Sequence, residues 1–443
     1  MRFGFSFCVV LVCLIGLAVS RSPGDEPRKA PRPNIVLIVS DDHGWGDYSF
    51  MGHPQVQTPN LDRLARESVT FRHGYVPSSL CCPSLASIIT GLYPHQSRIT
   101  SNDPPLPPGM AAKDFHQSKA FLDGRETMNR HLEAVRTLPT LLKAEGYRSL
   151  QTGKWWQGDY RRGGFTHGMT RGQRHGDDGL EIGRKTMAPI NEFMDEAVRD
   201  RTPFFLWYAP MMPHDPHTPP ERLLKKYRGV APSDQVARYW GMIDWFDETV
   251  GELLGRVHQL GLDDNTIVVY LADNGWIQDP AASGYAAKSK QSQYDGGLRT
   301  PIMIRWPGHA SPRSADELAL SIDIAPTLLA ALGQSPPREM QGVNLLDEKA
   351  LGARKAIFGE CFTHNAVDLN NPAANLRWRW EIEWPWKLIL PHAANEPDGK
   401  IELYDLSKDP NEKQNLAAEQ PEIVARMRDA TDKWWNPAAK NVP

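Results

Sequence analysis

The side chains able to do chemistry sit directly after apolar runs. Ile35–Val39 ends in Ser40-Asp41-Asp42-His43-Gly44, and Ile267–Leu271 ends in Ala272-Asp273-Asn274-Gly275. Asp41, Asp42, Asp273 and Asn274 offer only oxygen ligands. Three carboxylates and an amide suit a hard divalent cation, and with no Cys/His set beside them calcium is favoured over zinc. Taken singly, Asp-Asn-Gly reads more simply as a turn, and Asp-Asp-His-Gly as a loop with a helix cap. The pair, each half closing an apolar run, points to metal. Two further runs end in cationic groups: Tyr147–Gln151 leads to Thr152-Gly153-Lys154, and Phe204–Tyr208 leads to His214-Asp215-Pro216-His217. In the stretch from Cys81-Cys82-Pro83-Ser84 to Thr90-Gly91, Pro83 fits the first turn of a helix and Gly91 its end. Cys81 then falls at a helix start, where the dipole favours a thiolate or a bound oxyanion. The competing reading is a buried structural thiol.

These residues need a frame that gathers them. Ile35–Val39, Phe204–Tyr208, Ile267–Leu271 and Ile302–Trp306 have the character of buried parallel strands, with Tyr147–Gln151 a weaker example. Helical patterns lie between them at Leu61–Glu67, Leu138–Ala144 and Tyr239–Leu260. Alternating strands and helices predict an α/β fold, a large mixed, mostly parallel sheet sandwiched by helices. In such a sheet ligands bind beyond the carboxyl ends of the strands, so the groups above converge on one site. The segment Asp103–Glu133 reads as a long surface excursion. Past residue 350 the pattern changes to short strands at Ala356–Glu360, Trp386–Leu390 and Ile401–Leu406, then a helix over Pro421–Trp435. This predicts a catalytic α/β domain over 33–350 and a smaller C-terminal antiparallel-sheet subdomain over 351–443. The aromatic stretch Trp378-Arg379-Trp380, with Trp384 and Trp386, packs that sheet or stacks on a sugar, packing being the simpler reading.

The balance of 50 Lys+Arg against 53 Asp+Glu, in 443 residues, gives no electrostatic case for nucleic acid or an anionic membrane surface. Arg2, the apolar run Phe3–Val19 and the small residues Ala18-Val19-Ser20 read as a signal peptide over 1–20, so an exported protein is expected. No later run is long enough to span a bilayer. After the leader only Cys81, Cys82 and Cys361 remain, too few for a disulfide framework.

The motif Cys81-Cys82-Pro83-Ser84, followed by Thr90-Gly91-Leu92-Tyr93-Pro94, resembles the signature of the sulfatases. Pro33-Asn34-Ile35-Val36-Leu37-Ile38 with Asp41-Asp42 is similar to the family's first strand. Gly153-Lys154-Trp155, His214-Asp215-Pro216-His217, Asp273-Asn274-Gly275 and Lys290 through Tyr294-Asp295-Gly296-Gly297-Leu298-Arg299 also match. So does Glu402-Leu403-Tyr404-Asp405-Leu406 running on to Asp409-Pro410-Asn411-Glu412. The matches follow the family's order over nearly all of the mature chain.

The resemblance implies that Cys81 is oxidised to formylglycine by a formylglycine-generating enzyme or equivalent maturase. Its hydrate would attack the sulfur of a sulfate ester, and the covalent sulfate would leave by elimination. Asp41, Asp42, Asp273 and Asn274 would hold one calcium ion, with residue 81 completing the set. Lys154, His217 and Lys290 would bind sulfate oxygens, with His214 a neighbour. Two departures bear on this. The family's Arg that supports formylglycine is replaced by Leu85, and its His after Lys-Trp by Trp156. His175 is a candidate to replace that base. Two other functions compete: a phosphate or phosphonate ester hydrolase of the same superfamily (that of alkaline phosphatase), and an exported pseudoenzyme that binds sulfated ligands without turnover.

Overall fold

The computed structural model describes residues 32–439, together with residues 1 and 4. The predicted leader otherwise lies outside the described residues. From Pro33 onward the chain forms one compact unit. Its strands, among the described residues and in chain order, are β1 (Asn34–Ser40), β2 (Val69–Phe71), β3 (Gly74–Tyr75), β4 (Arg148–Gly153), β5 (His167–Gly168), β6 (Phe204–Ala209) and β7 (Thr266–Ala272). They continue with β8 (Ile302–Arg305), β9 (Arg313–Ala315), β10 (Ala319–Leu320), β11 (Ile357–Phe362), β12 (Leu376–Glu383), β13 (Trp386–Pro391) and β14 (Glu402–Asp405).

Eight of these form one sheet in the order β5-β4-β6-β1-β7-β8-β2-β9. The apolar runs occupy its centre because they can lose all contact with water on both faces. β1, β6 and β7 are buried along their whole length. Successive β1 side chains point to opposite faces. Ile35, Leu37 and Val39 pack under the helices Cys81–Thr90, Leu138–Ala144 and Ile324–Ala331. Val36 and Ile38 pack under Pro59–Arg66, Ala188–Arg199 and Asp234–Gln259. A two-layered helical cover on a largely parallel sheet is the architecture the alternation predicted.

Two sequence-based expectations are corrected. Ile302–Trp306 was expected to be parallel, but β8 runs antiparallel to both β7 and β2. A parallel return needs a crossover across the sheet. The only helix between β7 and β8, among the described residues, is the four-residue Asp295–Leu298, so the chain doubles back. Asp103–Glu133 is not wholly irregular: Ser118 caps a helix over Lys119–Glu133, whose Phe121, Met128 and Leu132 are buried. The high charge and Gly124 masked this pattern. In the C-terminal sheet, of order β11-β12-β13-β14, the Trp-rich stretch is a central strand. Trp378 and Trp380 pack in its core, while Trp384 is exposed and stacks on His73.

The C-terminal sheet is pinned to the segment that carries Lys290. Lys387, fully buried, reaches Asp295 at 2.8 Å and Glu412 at 2.7 Å, and Glu412 accepts from the Asp295 backbone N–H at 2.6 Å. Among the described residues, no helix is long and apolar enough to cross a membrane. The three described cysteines are free and buried.

At the end of β4 a glycine is obligatory. Gly153 has φ 74°, and a Cβ there would overlap the Ala209 carbonyl. This turn lets Lys154 donate its N–H to the same carbonyl at 2.6 Å and aim its side chain inward. Gly153→Ala is expected to cost about 2–4 kcal/mol, from the left-handed φ plus backbone overlap. A denaturant midpoint unchanged from wild type would contradict this.

Candidate active site

Strand register brings the two acidic segments together. Ser40 pairs with Ala272, so Asp41 and Asp273 leave adjacent strands at the same level. The Asp273 N–H donates to the Ser40 carbonyl at 2.9 Å, and the Asp42 N–H donates to Asp273 Oδ1 at 3.1 Å. Asp42 adopts φ 59°, a left-handed conformation that aspartate tolerates better than most residues. The Asn274 amide donates to Asp42 Oδ1 at 2.7 Å.

Two buried ammonium groups face these carboxylates. Lys154 Nζ lies 2.5 Å from Asp41 Oδ1 and 3.6 Å from Asp273 Oδ2, and Lys290 Nζ lies 2.6 Å from Asp42 Oδ2. Burial pushes Asp42 up, but Lys290, His214 and Lys154 together outweigh it and hold its carboxyl below the usual range. Asp273 is lifted to about 7 by burial and by the neighbouring Asp41. Burial alone would lower Lys154, yet Asp41, Cys81, Asp273 and Asp42 hold it well above its usual value.

The donor set can be tested for fit to a cation. Asp41 Oδ2, Asp273 Oδ2 and Asn274 Oδ1 are buried oxygens without a hydrogen-bond partner. Leaving such acceptors unsatisfied costs about 1–3 kcal/mol each. A hard cation satisfies acceptors of this kind, and the residues fit calcium. Donor atoms of Asp41, Asp42, Cys81 and His214 also lie within 4.8 Å of one another, a mixed set closer to zinc chemistry. The oxygen set is the better fit. His214 is already engaged, its Nδ1 2.9 Å from Asp215 and its Nε2 3.4 Å from Asp42. Burial also raises the Cys81 thiol to about 12, against the pull of Lys154 and Lys290, so it is a poor ligand as a thiol.

Cys81 begins the helix Cys81–Thr90, whose end is the left-handed Gly91. The Ser84 hydroxyl donates to the Asp273 carbonyl, fixing the helix against the end of β7. Asn102 Oδ1 accepts from the Cys82 N–H at 3.0 Å and so caps an otherwise free donor of the first turn. Leu85 is buried among apolar neighbours and supplies no charge. Arg125 instead brings a guanidinium to Cys82 and donates to the Asn102 carbonyl at 3.0 Å.

Trp156 is fully buried between Arg125 and Arg174, whose guanidinium carbons lie 5.4 and 4.8 Å from its ring centre. His175 meets its edge at 4.5 Å and lies 6.0 Å from the His214 ring. Burial, then Lys154 and Arg174, push His175 far below the normal histidine range, so it is neutral. Its Nε2 stands 2.7 Å from Arg174 Nη1, which can only donate. The strained turn His175-Gly176-Asp177, at φ 72°, 129° and 49°, is held by Asp177, which accepts from the backbone N–H of Arg171, Gly172 and Gln173. His217 lies against Tyr239 and Trp276, and its buried Nε2 has no partner. Burial lowers it to about 4.

The structure thus gathers Asp41, Asp42, Asp273, Asn274, Cys81, Lys154, Lys290 and His214, with His175 beside Trp156 and His214. Arg125, Asn102, Arg174 and Asp177 had no sequence signal. Arg125, Asn102 and Arg174 act through contacts with sequence-distant segments, and Asp177 through its own tight turn.

An α/β sheet with acidic, cationic and sulfur groups at its carboxyl edge suits esters of a tetrahedral oxyanion. The sulfatase family model matches residues 33–334, and the C-terminal model of N-sulphoglucosamine sulphohydrolase matches residues 285–434. The chain belongs to the sulfatase family and is a sulfuric ester hydrolase. Arylsulfatase A of Homo sapiens is 28% identical over 490 residues, covering 95% of this chain and 89% of that one. N-acetylgalactosamine-6-sulfatase of Mus musculus is 29% identical over 425 residues, covering 85% and 76%. Two solved structures share the fold. One, in complex with its substrate D-glucosamine-2-N,6-O-disulfate, has a TM-score of 0.69 at 19% identity, over 93% of this chain and 100% of that one. The other, a phosphonate monoester hydrolase of Agrobacterium radiobacter, has a TM-score of 0.65 at 19% identity, over 91% and 95%.

Proposed function

We propose that this chain hydrolyses sulfate esters of carbohydrates at residue 81, with one calcium ion held by Asp41, Asp42, Asp273 and Asn274. The observation that carries the reading is the meeting of partnerless buried carboxylate and amide oxygens with Lys154 and Lys290 beside the helix start at Cys81. Calcium, when bound, supplies positive charge to a sulfate oxygen. Formylglycine at residue 81 supplies a hydrated-aldehyde hydroxyl as nucleophile. A thiol raised to about 12 is a weak nucleophile near neutrality, which supports modification by a maturase.

The chain's own groups supply the rest. Lys154 and Lys290 stay protonated and bind the remaining sulfate oxygens. An imidazole N–H of His214, or of His217 with its partnerless Nε2, would assist departure of the leaving alcohol. His175 would serve as the base that the family supplies at the position of Trp156 only once its Nε2 is released from Arg174 Nη1. His175→Ala is expected to lower turnover about 10²–10⁴-fold. Turnover equal to wild type would remove His175 from the mechanism. Residues 33–350 carry the chemistry, and 351–443 buttress the Lys290 segment through Lys387. Export follows from a leader at 1–20.

The shared fold of a phosphonate hydrolase makes selectivity the test. Parallel assays on 4-nitrophenyl sulfate and 4-nitrophenyl phosphate are expected to show hydrolysis of the sulfate. Preference for the phosphate would overturn the reading, and hydrolysis of neither, with calcium bound, would make this a binding protein.

A further inference from the structure

A cavity of about 380 Å³ lies behind the wall that His217 rests on. Trp276 and Tyr239 form that wall. Lys290 Nζ stands 5.6 Å from the Trp276 ring centre, and the Tyr239 hydroxyl donates to the Asp42 carbonyl at 3.2 Å. The cavity is also lined by the partly exposed rings of Trp45 and Trp240 and by Asp47 and His53. The aromatic surfaces are held in place. The Arg299 guanidinium covers one face of Trp45 at 4.1 Å, and the His53 ring meets Trp240 edge-on at 4.9 Å. Gln278 accepts from the Trp276 indole N–H at 3.1 Å and donates to the carbonyls of Asp279, Ala282 and Gly284.

The polar pair has unused capacity. His53 Nδ1 accepts from the backbone N–H groups of Gln55 and Val56 at 3.1 and 2.8 Å, so its hydrogen sits on Nε2. That donor is 3.8 Å from Asp47 Oδ1, too far for a hydrogen bond. Both side chains keep some exposure, 14% and 22%. A donor and an acceptor held slightly too far apart, between aromatic faces, match the vicinal hydroxyls of a sugar ring. No Lys or Arg lines the cavity among the described residues, so Asp47 is the charged lining group that a sulfated or carboxylated ring would meet, with Arg299 stacked on Trp45.

We infer that this cavity is a second subsite, taking an uncharged pyranose unit of the glycan whose sulfate is bound on the other side of the Trp276–Tyr239 wall. The inference rests on the carbohydrate sulfate reading above and extends it to a second sugar. Two disaccharides test it: a 6-sulfated N-acetylhexosamine joined to a neutral hexose, and the same sulfated sugar joined to a uronic acid. Wild type is expected to hydrolyse the first with kcat/KM about tenfold higher, and Trp240→Ala and His53→Gln to erase the difference, as loss of a stacking or hydrogen-bonding contact would. Equal rates in wild type, or a preference that survives both substitutions, would overturn the subsite while leaving sulfate ester hydrolysis intact. If wild type hydrolyses neither disaccharide nor 4-nitrophenyl sulfate, the hydrolytic reading fails instead. Saturation-transfer NMR with methyl galactoside then decides the cavity: a signal lost in Trp240→Ala supports it, and no signal, or an unchanged one, overturns it.

Discussion

Asp273→Ala is expected to lower kcat/KM on 4-nitrophenyl sulfate by about 10³-fold or more, the scale for losing a charge-stabilising group at the reacting centre. Asp273 accepts the Asp42 N–H, stands 3.6 Å from Lys154 and keeps Oδ2 without a hydrogen-bond partner, open to the proposed cation. Its loss would remove one cation ligand and one counter-charge together. The same variant separates metal binding from folding. In wild type, calcium at a hundred times its dissociation constant stabilises the fold by about 2.7 kcal/mol by mass action. A rise in Tm on adding calcium after chelation is therefore expected, and it should vanish in Asp273→Ala. An equal rise in both proteins would place the cation elsewhere.

The second large effect is at the nucleophile. Cys81→Ala is expected to abolish turnover by about 10⁴-fold or more, because residues that act as a unit lose nearly everything with one member. Cys81 is buried at a helix start whose position depends on Ser84 and Asn102, so alanine fits the space and the fold should persist. Calcium-induced stabilisation should persist in part, since Asp41, Asp42, Asp273 and Asn274 are untouched. Residual turnover within tenfold of wild type would exclude residue 81 as the nucleophile.

Much of this site was legible because its parts lie where continuous burial ends. An apolar run of β1 or β7 has no outlet for polar groups except at its end, so Asp41-Asp42 and Asp273-Asn274, taken together, were readable as candidate ligands. Parallel register then did what the sequence could only imply, by setting Ser40 against Ala272. What escaped was set by tertiary contact. Nothing local distinguishes Arg125 from a surface arginine on a charged helix, yet it supports the Cys82 end of the helix Cys81–Thr90. His175 could be named only as a substitute. Its place depends on a strained turn that Asp177 ties down and on Trp156 filling the space between two guanidiniums. The direction of β8 was missed for a similar reason, since an apolar strand carries no mark of which way it runs.

The claim on which the mechanism turns is that residue 81 does not act as a cysteine. A mass spectrum of the peptide spanning Ser78 to Gly91, from protein made in its native host, measures this directly. The expected result is the thiol-to-aldehyde mass change at residue 81, with Cys82 unmodified. An intact thiol at residue 81 in all molecules of an active preparation would contradict the account.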